Sequence, residues 1–410
     1  MSSAPSYSTI PLDSKFESCI KCTICTVYCP VSKVNPNFSG PKASGPDGER
    51  LRIKSRAYYD PALKACTNCK RCETACPSGV KIGDIIAKAR GQYEKKSISP
   101  KLVRDFILSH TDLFGHIATP FAPIANRLTQ LPLIKKIMHH TVGVHEKKSL
   151  PRYAHGTFRQ WFKKHAPDQS HYSTQVAYYH GCYVNYNFPQ QGKELVQVMN
   201  AFGFGVALLD KEKCCGVPLI ANGFHNKALK NAQLNVRTIE GALASGNSAV
   251  VSTSSTCSFT LQEEYPHVLS VDNGSVKNHI VYVTRFLLEA MMNGHQPNFR
   301  PVNLRLVYHI PCHMEKSGNH IFTIELLKQI PGVELIVLDS ACCGLAGTYG
   351  FKTENYKHSI AIGRSLFETI NSSNADYVVS DCETCKWQIE ENTNYTCLHP
   401  IGILALALAK

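Results

Sequence analysis

Gly205-Val-Ala-Leu-Leu-Asp210 followed by Cys214-Cys215-Gly216, and Glu334-Leu-Ile-Val-Leu-Asp339 followed by Cys342-Cys343-Gly344, are one pattern written twice. Each is a short apolar run that reads as a strand and ends at a cysteine pair with glycine behind it. The surroundings repeat as well. Gln175–His180 leads into Gly181-Cys182 as Leu304–Ile310 leads into Pro311-Cys312, and Ser248–Thr253 leads into Ser254-x2-Cys257 as Asp376–Asp381 leads into Cys382-x2-Cys385. The offsets are 130, 128 and 128 residues, as two fused copies of one unit require. Helical patterns at Gly192–Phe202, Asn226–Ala244, Ile321–Ile330 and Asn355–Asn371 lie between the runs, so each unit reads β-α-β-α-β around a parallel sheet. Every cysteine group follows the carboxyl end of a strand, where such sheets collect ligands. The groups are therefore expected to converge on one edge.

The second unit supplies five thiols, Cys312, Cys342, Cys343, Cys382 and Cys385. The first supplies four, Cys182, Cys214, Cys215 and Cys257, because Ser254 stands where Cys382 stands. Soft thiolates at this density select iron–sulfur, zinc or copper(I) over hard cations, so the first unit is read as an incomplete ligand set or a scaffold of buried thiols. His309 and His313 flank Cys312 and His180 precedes Cys182; each is read as a donor near a ligand or a loop residue rather than a ligand. Cys397 has no counterpart in the first unit and is read as structural.

Upstream, Cys19-x2-Cys22-x2-Cys25-x3-Cys29-Pro30 and Cys66-x2-Cys69-x2-Cys72-x3-Cys76-Pro77 are two complete bacterial ferredoxin runs. In two-cluster proteins the fourth cysteine of each run ligates the other cluster. One 4Fe-4S cubane is thus expected on Cys19, Cys22, Cys25 and Cys76, and a second on Cys66, Cys69, Cys72 and Cys29. Structural zinc needs only C-x2-C pairs, and two perfect runs weigh against it.

The chain has 410 residues and eighteen cysteines, and its mean hydropathy is −0.16. No apolar segment in Met1–Ser18 suits a signal peptide, and the longest clean apolar run, Ile401–Ala409, is half a membrane span. A reducing compartment then makes metal the better use of the thiols than disulfides. The net charge is +13, of which Leu131–His165 carries +7. There Lys135, Lys136, Lys147, Lys148, Arg152, Arg159, Lys163 and Lys164 interleave with Leu133, Ile137, Phe158, Trp161 and Phe162, which suits anionic lipid or an acidic partner. No nucleic-acid motif accompanies the charge. Gly203-x-Gly205 lacks the third glycine of a dinucleotide fingerprint, so no flavin or nicotinamide is expected in this chain. The fold class is α+β and multidomain: an α-helical two-cluster ferredoxin domain (1–95), a basic amphipathic connector broken by Pro120, Pro123 and Pro132 (96–170), and two tandem α/β Cys-Cys-Gly units with parallel sheets (171–300 and 301–410).

From Phe16 onward the sequence resembles the C-subunit family of anaerobic glycerol-3-phosphate dehydrogenases. The likeness rests on Cys19–Pro30, Gly40–Leu51, Cys66–Asp84, Lys211–Gly223, Leu338–Phe351 and Asp381–Glu390. The resemblance implies a non-catalytic electron-transfer subunit, with no catalytic residue of its own. In that family, flavin-bearing A and B subunits oxidise sn-glycerol 3-phosphate, and the C subunit carries electrons to menaquinone while holding them, as a peripheral protein, at the cytoplasmic face of the inner membrane. The Cys-Cys-Gly units also resemble those of heterodisulfide reductase subunits, where five cysteines hold a noncubane 4Fe-4S cluster. The second unit matches that set and the first departs from it at Ser254. The rival reading is a catalytic reductase acting on a disulfide or quinone at that noncubane cluster.

Overall fold

The computed structural model describes residues 16–55, 60–93 and 98–408. The reading of Met1–Ser18 and the boundary at residue 95 fall largely outside them. Among the described residues the first strand begins at Thr174, and everything before it is helical or irregular. The N-terminal region packs the short helices Ile24–Val27 and Arg71–Thr74 around the longer Ile82–Tyr93, whose Ile82, Ile85, Ile86 and Ala89 share a core with Leu63, Val80, Cys25 and Cys72.

Two four-stranded parallel sheets follow. The first holds β1 (Thr174–Tyr178), β2 (Phe204–Leu208), β3 (Val250–Ser252) and β4 (Ile280–Tyr282) in the order β2-β1-β3-β4. The second holds β5 (Leu304–Tyr308), β6 (Val333–Val337), β7 (Tyr377–Val379) and β8 (Cys397–Leu398) in the order β6-β5-β7-β8. The two orders correspond strand for strand, as a duplication requires. Each sheet has one strand more than the three expected, since β4 and β8 span three and two residues and are too short to show a period of their own.

The repeats share one apolar core. Helix Pro189–Ala201 of the first packs on Pro400–Ala407 of the second, and Val283–Met292 packs on His320–Leu327. At the seam the buried Asp381 carboxylate accepts from Tyr282 Oη (2.8 Å), Thr323 Oγ1 (3.0 Å) and Tyr308 Oη. Burial pushes its pKa up to about 6.

The glycine after each cysteine pair has a backbone reason. Gly216 and Gly344 sit at φ +100° and +86°, turning the chain back beneath the sheet edge. A Cβ on Gly344 would lie 2.0 Å from Ser359 O. Gly344→Ala is expected to cost roughly 2 kcal/mol or more through the left-handed backbone and the clash, seen as a lower denaturation midpoint. An unchanged midpoint would show that the turn relaxes freely.

The connector forms five α-helices, Pro100–Ser109, Thr111–Ala118, Ala122–Gln130, Pro132–Thr141 and Phe158–His165. Pro100, Pro123 and Pro132 lie in the first turns, where the missing N–H costs nothing. The basic stretch divides, and its later part turns inward. Phe158, Trp161 and Phe162 pack into the shared core, Arg159 donates to the carbonyls of Leu209 (2.7 Å) and Asp210 (3.1 Å), and Lys148 is buried against Gln388 and Glu391. A stripe at i, i+3, i+4 meets a core as readily as a lipid surface, and here the core claims it. The outward apolar faces run from residue 113 to residue 137, into the start of that stretch. Leu113 and Ile117, Phe121, Ile124 and Leu128, and Leu133 and Ile137 form outward stripes on three successive helices, each residue at least 45% exposed.

Candidate metal centres

Both ferredoxin loops bend in the same way. Lys21 and Thr23 in the first and Asn68 and Lys70 in the second occupy equivalent positions and all have φ between 56° and 64°. None is glycine, so each loop holds about 1–2 kcal/mol of strain per residue that its surroundings must maintain. The bends turn the thiols inward, and backbone N–H groups of Asn68 and Val80 point at Cys66 Sγ and Cys76 Sγ, each at 3.4 Å.

The thiols gather in two crossed sets. Burial pushes Cys25 up, and Cys19, Cys76 and Cys22 stand close enough to add to the shift. Burial likewise raises Cys66 to about 11, with Cys69 and Cys29 adding, and raises Cys72 beside Glu73, Cys69, Cys66 and Cys29. The fourth cysteine of each run thus lies with the other run's first three.

The Cys-Cys-Gly thiols converge on one place. A single cavity of about 110 Å³ is lined by Cys182, Cys214, Cys215 and Cys257 of the first repeat and by Cys312, Cys342, Cys343, Cys382 and Cys385 of the second. Cys69 lines it too, so the second ferredoxin set abuts it. Arg71 crosses the same gap, donating to Ser340 Oγ (2.6 Å) and pairing with Glu315 (3.2 Å). Burial works against its charge, but Cys342, Glu315, Cys69 and Cys312 hold the guanidinium protonated. Hydrogen bonds from Cys182 and Cys215 pull Cys214 well down, and those from Cys385 pull Cys343 down and Cys382 to about 5. Such thiols are primed as thiolate ligands.

Ser254 caps helix Ser255–Phe259 by accepting from Cys257 N at 3.2 Å, and its hydroxyl donates to the Glu383 carboxylate at 3.2 Å. The first repeat spends this position on joining its neighbour. Glu383, which lines the cavity, was not singled out in the sequence; its place between Cys382 and Cys385 is the signal that marks it. His309 also lines the cavity, fully buried, with both ring nitrogens lacking a protein partner. His313 stacks on Phe259, and His180 faces Gly181 O and Glu212 away from the cavity. Cys397 lies in β8 within the second repeat's core, apart from the cavity.

The donor set fits iron–sulfur clusters. Its soft thiols fall into two complete ferredoxin runs and two Cys-Cys-Gly groups, the donor chemistry and spacing that iron–sulfur clusters use. The orphaned His309 nitrogens suit a donor to cluster sulfide.

The fold and these sites define a multi-centre iron–sulfur protein. A 4Fe-4S dicluster domain matches residues 15–80 and a cysteine-rich domain matches 176–262 and 306–390. The chain is 56% identical to the C subunit of the anaerobic glycerol-3-phosphate dehydrogenase of Escherichia coli over 97% of its own length and all of that protein, and it belongs to that family. More distant relatives include the B subunit of the CoM/CoB fumarate reductase of Methanothermobacter marburgensis, at 24% identity over 95% of this chain and 71% of that one. The D subunit of the dihydromethanophenazine:CoB–CoM heterodisulfide reductase of Methanosarcina barkeri is 23% identical over 92% of this chain and 89% of that one.

Proposed function

We propose that this chain is the iron–sulfur electron-transfer subunit of an anaerobic sn-glycerol-3-phosphate dehydrogenase. It takes electrons from flavin-bearing A and B subunits and passes them to membrane menaquinone. In this reading one cubane sits on Cys19, Cys22, Cys25 and Cys76, the second on Cys66, Cys69, Cys72 and Cys29, and a noncubane centre on Cys312, Cys342, Cys343, Cys382 and Cys385. The observation that carries it is Cys69, which belongs to the second ferredoxin set and also lines the nine-thiol cavity. Charge can then pass from the N-terminal centres to the repeats without leaving the protein. Cys22 of the first set is exposed, which suits entry of electrons there from a partner. Turnover tests the carrier reading directly. The isolated chain, given an artificial donor, should reduce no disulfide; sustained disulfide reduction would make it a reductase.

Attachment to the membrane follows from the connector. Among the described residues no helix is long and apolar enough to cross a membrane. The outward stripes of residues 113–137, with Arg127 and Lys136 exposed beside them, suit a peripheral contact with anionic lipid. The double variant Ile117→Asp/Ile124→Asp is expected to reduce co-sedimentation with anionic vesicles at least tenfold, since each change removes about 1.5–3 kcal/mol of apolar burial. Undiminished binding would move the contact elsewhere.

A further inference from the structure

A second cavity, of about 390 Å³, opens beside the first between helix Thr111–Ala118 and the first repeat. Cys214 lines both, and no other residue does. We propose that this outer cleft is where a lipid-soluble quinone receives electrons, a site that rests on the reading of a quinone as the membrane acceptor.

Three observations meet there. The first is the shared thiol: Cys214 lines the nine-thiol cavity on its inner side and the cleft on its outer side, so a single side chain separates the cleft from the cavity where the second repeat's five thiols meet. Cys214 is fixed in place, its N–H donated to Asp112 Oδ2 at 2.7 Å. The second is the entrance. Leu113 and His116 of the outer helix line the cleft, while Leu113 and Ile117 belong to the apolar stripe exposed on that helix. A molecule resident in lipid against that stripe reaches Cys214 without crossing bulk water. The third is the shape and chemistry of the walls. Tyr186 stands over Gly115, where even a Cβ would come within 2.4 Å of its ring, so the smallest residue at 115 is what lets the aromatic wall approach the helix. Tyr186 and Leu219 supply flat and apolar surface, and His116 and Lys213 supply donors for carbonyl oxygens. A small, flat, dicarbonyl ring on an apolar tail matches these features.

The step balances without a bond to the protein. The quinone takes two electrons in succession from the chain's reduced clusters, recharged by the flavin-bearing partners, and two protons from water at the cleft mouth. Its two C=O groups become two C–OH groups.

The test uses the complete complex with its flavin-bearing subunits, with 2,3-dimethyl-1,4-naphthoquinone as acceptor and benzyl viologen as a soluble acceptor. His116→Trp plugs the mouth from an exposed position and should raise KM for the naphthoquinone at least tenfold with iron per chain unchanged, whereas Ser365→Trp, at an exposed position of helix Tyr356–Asn371 that lines neither cavity, should leave that KM alone. An azido-naphthoquinone should label a peptide containing residues 109–116 or 186. Unchanged KM in His116→Trp, or labelling confined to other peptides, overturns the site while leaving quinone reduction standing. A wild-type complex that reduces viologen but no naphthoquinone overturns the acceptor reading itself, and the site with it.

Discussion

Lys70→Met is expected to destabilise the chain by about 3–5 kcal/mol and to loosen the ferredoxin domain from the repeats. Lys70 is fully buried between Cys69 and Cys72. Its ammonium bonds Asp84 and lies 3.3 Å from Glu264 and 3.8 Å from Glu73. Burial works against its charge, but Asp84, Glu73 and Glu264 outweigh that and hold it well above the ordinary lysine range. Asp84 and Glu73 belong to the ferredoxin domain and Glu264 to the first repeat, so one cation neutralises acids from both sides of the interface. Methionine fills similar volume but leaves three buried carboxylates facing one another. Hydrogen exchange on the anaerobic protein should show faster opening in residues 66–76 and 255–268, together with a lower unfolding midpoint. Protection and midpoint within 1 kcal/mol of wild type would mean that the carboxylates simply take up protons at little cost.

The second large effect concerns the step between domains. Cys69→Ala should remove one cubane, lowering iron by about 4 per chain, and should abolish electron flow from sn-glycerol 3-phosphate to quinone by more than 100-fold in the assembled complex. Dye reduction at the flavin-bearing subunits should persist, because that route never reaches Cys69. Cys397→Ala should keep its iron, since that thiol lies in the second repeat's core and away from the cavity. Quinone reduction by Cys69→Ala at more than a tenth of the wild-type rate would place the path elsewhere.

Much of this was legible in the sequence because the signals are local. The ferredoxin spacing puts eight thiols on two loops, and each apolar run in the repeats ends at a cysteine, so strand direction and sheet edge follow together. What was not legible depends on how separate pieces pack. The seating of one repeat's helices on the other's brings nine thiols round a single cavity, and no spacing within either unit encodes that contact. Ser254 read as a missing ligand; its hydroxyl's reach to Glu383 appears only when residues 129 apart meet. Lys70 was overlooked although the first run has Thr23 at the matching place, a contrast that points to a partner outside the loop. The inward turn of the basic stretch's later part was illegible for a related reason. Helical periodicity reveals that Phe158, Trp161 and Phe162 share a face, and says nothing of what that face meets.

We propose that two cubanes stand in series with a third metal centre in the nine-thiol cavity. Iron analysis with EPR spectroscopy on anaerobically purified protein tests it most directly. Such a chain should hold at least about 12 irons and show, beside the cubane signals, a distinct signal that disappears in Cys382→Ala while the cubane signals remain. About 8 irons, with cubane signals alone, would contradict it and confine the metal to the N-terminal domain.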